Sequence, residues 1–118
     1  MFTKDELRAI APCSEWGKLI DEYPSESITA QNIIDNSPSH ILVLAMARSS
    51  KISEELVDAG IDIDLKDDLG RTALLIAVLY KNDDVVTMLK SLGASENIED
   101  DLGRTPASIA EGIGYDGL

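Results

Sequence analysis

Besides serines, threonines and carboxylates, the only side chains suited to act as nucleophile or base are His40 and Cys13. A catalytic triad needs a base held by an orienting acid beside a nucleophile. His40 stands where a helix begins, and there it caps or packs. One cysteine allows no intrachain disulfide, and one cysteine with one histidine allows no Cys/His metal spacing. Two other strings spell metal or cofactor chemistry. Asp62-Ile63-Asp64-Leu65-Lys66-Asp67 starts like a calcium loop. It then puts Lys66 at the third ligand position, Asp67 where the turn needs glycine, and Ala73 where the closing glutamate belongs. Gly112-x-Gly114-x-x-Gly117 spells a dinucleotide fingerprint. That motif works after a strand and before a helix, with an acid about 20 residues on, and the sequence stops at Leu118. The residues offer no base–nucleophile set, so the expectation is no enzyme, with no catalytic residues, metal, cofactor or small-molecule substrate.

Charge points the same way. The 118 residues carry 22 acids and 10 bases, for a formal net charge of −12. Such a surface is repelled by a phosphate backbone and by an anionic membrane, and it attracts a basic protein partner. Charge of this size also serves solubility alone. An apolar run such as Ile41 to Ala47 is too short to cross a bilayer. Met1 to Ala11 carries Lys4, Asp5, Glu6 and Arg8, so it does not read as a signal peptide. The expected location is cytoplasmic. Only 4% of residues are aromatic, so the core must be aliphatic and alanine, which suits tightly stacked helices.

What positions these residues is a repeat. Asp67-Asp68-Leu69-Gly70-Arg71-Thr72-Ala73 recurs 33 residues on as Asp100-Asp101-Leu102-Gly103-Arg104-Thr105-Pro106. Ile76-Ala77 matches Ile109-Ala110, and Gly93 and Leu89 match Gly60 and Leu56. Further back the offset falls to 32, pairing Leu74 with Leu42 and Ala77 with Ala45, so one residue is lost from the turn around Ser49 to Lys51. Leu74, Leu75, Ala77 and Val78 give a short helix with an apolar face. Lys81 to Asp84 is a polar turn, and Val85, Val86, Met88, Leu89 and Leu92 give a second helix. Gly93 falls where a helix end needs left-handed φ/ψ, and Thr72 suits an N-cap.

This unit resembles the ankyrin repeat. Asp67, Gly70, Thr72, Leu74, Ala77, Leu89, Gly93 and Ala94 sit on that family's pattern, and Asp100, Gly103, Thr105, Pro106 and Ala110 open another unit. The resemblance covers roughly Ser37 to Leu118 and implies an all-α solenoid: stacked helix-turn-helix units, turn or hairpin loops, and a helical N-terminal cap. A single domain over 1–118 is expected to divide into a divergent cap (1–36), a modified repeat (37–66), the best-matching repeat (67–99) and a truncated C-terminal repeat (100–118). The family's Pro-Leu-His reads Ala73-Leu74-Leu75 in the middle unit, and the first unit opens on Ser37-Pro38-Ser39-His40. Within the cap, Thr3-x-x-Glu6 is a capping box opening a helix to about Ala11, which Pro12 breaks. Ser14 can cap a second helix carrying Trp16, Leu19 and Ile20 and ended by Tyr23-Pro24, and Ile28 to Asn36 is a third. Trp16 is expected to anchor the cap.

The resemblance also implies a partner on the concave face, made by turn tips and first helices. Carried over residue by residue, the tips are Lys66, Asp68, Leu69 and Arg71, then Glu99, Asp101, Leu102 and Arg104, with Leu79, Tyr80 and Lys81 from the first helix. Exposed leucines also occur singly without a partner, and Leu69 and Leu102 can pack on each other. Stacked turns set Asp58, Asp62, Asp64, Asp67 and Asp68 beside Glu96, Glu99, Asp100 and Asp101 as an acidic ridge. Asp67 and Asp100 are read as accepting local backbone hydrogen bonds, and Asp68 and Asp101 as facing a partner. Small acidic ankyrin-like proteins serve as immunity proteins against secreted toxins, including basic nucleases. The chain is therefore expected to bind and neutralise a basic protein, or else to join proteins as an adaptor without inhibition.

Overall fold

Side-chain caps from Thr3, Thr29, Ser49, Thr72 and Thr105 set the helix starts that follow them. The computed structural model describes residues 2–9, 14–22, 27–37 and 39–118. Cys13, the breaks at Pro12 and Tyr23-Pro24, Pro38 and the Trp16 side chain lie outside the described residues. The elements run β1 (Phe2–Thr3), α1 (Lys4–Ala9), α2 (Ser14–Glu22), β2 (Ser27–Ile28), α3 (Ala30–Asn36), α4 (Ser39–Arg48), α5 (Ser50–Asp58), α6 (Ala73–Leu79), α7 (Asp83–Ser91) and α8 (Pro106–Ile113). Among the described residues the fold is all-α apart from a two-stranded ribbon and an isolated bridge between Lys66 and Thr72. Thr3 Oγ1 accepts the Glu6 amide at 3.1 Å while the Thr3 amide reaches Glu6 Oε1 at 3.3 Å, the reciprocal box expected there. Thr72 caps α6 through the Leu75 amide, and Thr105 caps α8 with Ser108 closing the box.

Two features depart from the sequence reading. The third helix starts at Ala30, not Ile28, because Thr29 takes the cap position and exchanges hydrogen bonds with Asn32. Ile28 instead pairs with Phe2, and Ser27 with Thr3, in an antiparallel two-strand ribbon. Both apolar side chains of that ribbon are buried, which draws the N-terminus onto the helical body. The shortened turn is real. Ser49 alone joins α4 to α5 and caps the latter, whereas Tyr80 to Asn82 join α6 to α7.

Packing is centred on α6. Ala73 to Val78 are all buried in this seven-residue helix. It packs on α4, α7 and α8, while α5 lies against α4 and α7. The molecule measures 44 × 24 × 23 Å, an elongated stack. The helices α5 and α7 each close with a left-handed glycine, Gly60 and Gly93. After α7, the Ala94 amide reaches the Leu89 carbonyl at 3.0 Å and the Gly93 amide that of Lys90 at 3.1 Å, with Gly93 at φ +97°. A Cβ built there meets nothing within 4 Å, so only backbone strain opposes a side chain. Gly93→Val should therefore cost about 1 kcal/mol or more, read as a lowered melting midpoint. An unchanged melt would contradict the left-handed helix end.

The C-terminal segment folds back onto the helical body. Tyr115 and Leu118 pack against the core. The Tyr115 hydroxyl donates to Asp83 Oδ1 at 2.5 Å, on the first turn of α7. Burial, then the Asp83 hydrogen bond and charge, push the phenol from 10.0 up to about 12. A raised folded pKa means its contribution is complete below the unfolded value and lost as pH rises through the folded one. Stability should thus fall between about pH 10 and 12, and Tyr115→Phe, which has no hydroxyl to ionise, should lack that part of an alkaline unfolding curve.

Candidate protein interface

Two turns of the same design form one edge of the molecule. In the first, Asp67 Oδ1 accepts the Leu69 amide at 3.0 Å and the Arg71 amide at 2.8 Å. Asp67 Oδ2 accepts Arg71 Nε and Nη2, each at 2.8 Å. In the second, Asp100 Oδ1 takes the Leu102 and Arg104 amides at 3.0 and 2.8 Å, and its Oδ2 takes Arg104 Nε and Nη2 at 2.8 and 2.7 Å. Gly70 and Gly103, at φ +73° and +77°, let the chain reverse inside this cage. Burial pushes the Asp100 carboxyl up. The Arg104 hydrogen bonds, the Leu102 amide and the Arg104 charge outweigh that, leaving it below the ordinary value. A depressed carboxyl stabilises the fold above its unfolded pKa and ceases to as pH falls through the folded one. Asp67 and Asp100 are thus internal to the turns, as their local reading anticipated.

The turns are joined to each other. The Asp101 amide donates to the Leu69 carbonyl at 3.0 Å. Asp101 lies so close over Gly70 that a Cβ at 70 would sit 2.6 Å from its Oδ1. Behind them, Asp64 Oδ1 accepts the Ser95 amide at 2.9 Å, tying one loop to the next.

The residues assigned to a partner divide in three. Asp68, Leu69, Glu99, Asp101 and Leu102 stand exposed at the tips. The Asp68 side chain is 83% accessible, and Leu69 and Leu102 are 56% and 76% accessible, so neither leucine is buried by the other. Lys66 is exposed and its backbone bridges to Thr72, closing the hairpin. Arg71 and Arg104 are half-buried, with their guanidinium groups spent on their own turn's carboxylates. On the first helix Tyr80 is 73% exposed, while Leu79 is half-buried and packed on the core. His40, in the first turn of α4, holds Nδ1 3.8 Å from Asp68 Oδ2, an ion pair when the ring is protonated.

At the opposite end of the first helices lies an open groove of about 650 Å³, lined by Leu44, Ala47, Arg48, Ile76, Tyr80 and Asn82. Of these only Tyr80 was singled out from the sequence. The signal for two others was present: at the 32-residue offset Arg48 is the counterpart of Tyr80, and Leu44 that of Ile76. Equivalent positions on adjacent helices form a common wall once the helices stack.

A family model described as ankyrin repeats (3 copies) matches residues 18–112. The chain belongs to the ankyrin-repeat family. The match starts inside α2, so it takes in α3 and reaches into the segment read as a divergent cap. A comparison with curated proteins gives no match. Ankyrin repeats are protein–protein interaction modules, typically without enzymatic activity, so the exposed turn tips and first helices are candidate contact surface. Among the described residues, no helix of this ankyrin chain is long and apolar enough to cross a membrane.

Proposed function

We propose that this ankyrin protein is a small acidic inhibitor of the immunity-protein type. It binds a basic protein, such as a bacterial toxin or nuclease, in the cytoplasm and neutralises it. The supporting observation is the joined pair of tips, where Asp68 and Asp101 project from a chain of net charge −12. Two anions held at fixed spacing suit a cationic cleft, and the surrounding field speeds the encounter. Lys66, Leu69, Arg71, Leu79, Tyr80, Glu99, Leu102 and Arg104 complete the proposed contact set. In the same reading the single domain divides at 36, 66 and 99, its N-terminal part acting as the cap that repeat arrays need.

The test is to capture a basic protein from host lysate at low salt, then measure its association rate and its own catalytic activity with the chain added. The activity should fall with stoichiometric addition. Asp68→Lys/Asp101→Lys should slow association about tenfold or more, and raising the salt should slow the wild type similarly. A rate indifferent to both changes sinks the steering role of the tips. Stable binding that leaves the captured protein fully active identifies an adaptor.

A further inference from the structure

The groove between the ends of α4 and α6 carries a chemistry opposite to that of the tips. Leu44 and the Tyr80 ring supply its accessible apolar surface over the buried Ala47 and Ile76, and among the described residues Arg48 is the one charged side chain lining it. Among the described residues Arg48 makes no ion pair, although the chain holds more than twice as many acids as bases. Asn82 stands at the N-cap of α7 but makes no side-chain cap hydrogen bond, which leaves its amide available as a donor. Between Tyr80 and Asn82, Lys81 has φ +53°, the only positive φ at a non-glycine among the described residues. The matching seats after α5, α7 and α8 hold Gly60, Gly93 and Gly114. A non-glycine residue held at such a seat is strained, and strain of this kind clusters at functional surface.

We infer that this groove docks a partner segment in which one large apolar side chain stands beside a carboxylate. The apolar group lies on Leu44 against the Tyr80 ring, and the carboxylate takes the two-pronged guanidinium of Arg48. Arg and Tyr are the side chains that most often carry interface energy when an apolar floor excludes water around them. An arginine fork matches the two oxygens of a carboxylate, and a lysine or arginine from a partner would meet repulsion at the same point. This inference rests on reading the first-helix face as the docking face. It assigns that face a contact anchor, distinct from the long-range attraction of the tips for a basic surface. A protein that is basic overall and carries one such acidic-apolar segment satisfies both.

The test uses the full ¹⁵N-labelled chain and three capped tetrapeptides, Gly-Trp-Glu-Gly, Gly-Trp-Gln-Gly and Gly-Trp-Lys-Gly, each titrated to millimolar concentration. Amide shifts should centre on residues 44–48 and 76–82. Affinity should fall in the order Glu, Gln, Lys, with about fivefold or more between the first and last. Arg48→Glu should invert the order, and Arg48→Met should abolish the preference for Glu over Gln, with both variants keeping the dispersed spectrum of the wild type. Shifts centred elsewhere, no shifts at all, or an order untouched by Arg48→Glu would each overturn the inference. The association-rate experiment perturbs Asp68 and Asp101 and leaves Arg48 alone, so the two readings fail separately. A lost peptide order leaves tip steering standing, and a salt-indifferent association rate leaves the groove standing.

Discussion

Replacing Leu75 by alanine should lower the unfolding free energy by about 3 kcal/mol, within the range for buried leucines. Leu75 has no accessible surface, and its helix is pressed between α4, α7 and α8. A helix of seven residues with six of them buried has little freedom to slide into the space left behind. The cost should also exceed that of an equal truncation at the end of the array. α6 is shared by neighbours on either side, and in a stacked array stability is a sum of units and of the interfaces between them. Ile109→Ala in α8, where the side chain keeps 7% of its surface, is the natural comparison and should lose roughly half as much. Urea unfolding of both variants measures the difference. Equal losses would show that α6 is not the central layer.

Asp67→Ala should be the next most damaging change, at about 2–3 kcal/mol, through polar groups and not through volume. The Asp67 side chain is 3% accessible and accepts two amides and both arms of one guanidinium. Alanine strands those donors inside the turn, and stranding a donor costs more than the bond is worth when made. Asp67→Asn separates the contributions. It keeps an oxygen for the Leu69 and Arg71 amides but loses the charge on Arg71, so it should fall about midway. If Asn and Ala cost the same, the ion pair carries the turn and the amide bonds are incidental.

The turns and helix ends were legible in the sequence because they are local. Asp67 must find its partners within four residues, Thr72 within three, and Gly93 at one seat after the helix. Residue type at fixed spacing therefore reports them directly, and repetition at 33 residues repeats the report. The helical array followed from the same strings. What was not legible is made between distant residues. Phe2 meets Ile28, and Tyr115 meets Asp83, with nothing in the intervening sequence to announce either contact. The start of α3 was missed because an Asn stands in the box where Glu or Gln is usual, so the Thr29 cap lacked its common partner. At the candidate interface, carrying family positions over placed Tyr80, Asp68 and Leu102 on exposed surface. It also offered Arg71 and Arg104, although each has an acid four residues back that holds it. Leu79 fell between, with one side on the core. The groove needed stacking to exist at all, and only a comparison of one unit's residues with the next would have paired Arg48 with Tyr80.

The hydrogen bond from the Asp101 amide to the Leu69 carbonyl has a mechanical meaning. It joins the two exposed tips directly, backbone to backbone. A hinge opening between α6 and α8 that parts the tips has to break this bond, so the bond resists such bending. It works as a latch across a book's open edge, and force applied at one finger is shared by the other before the spine is loaded.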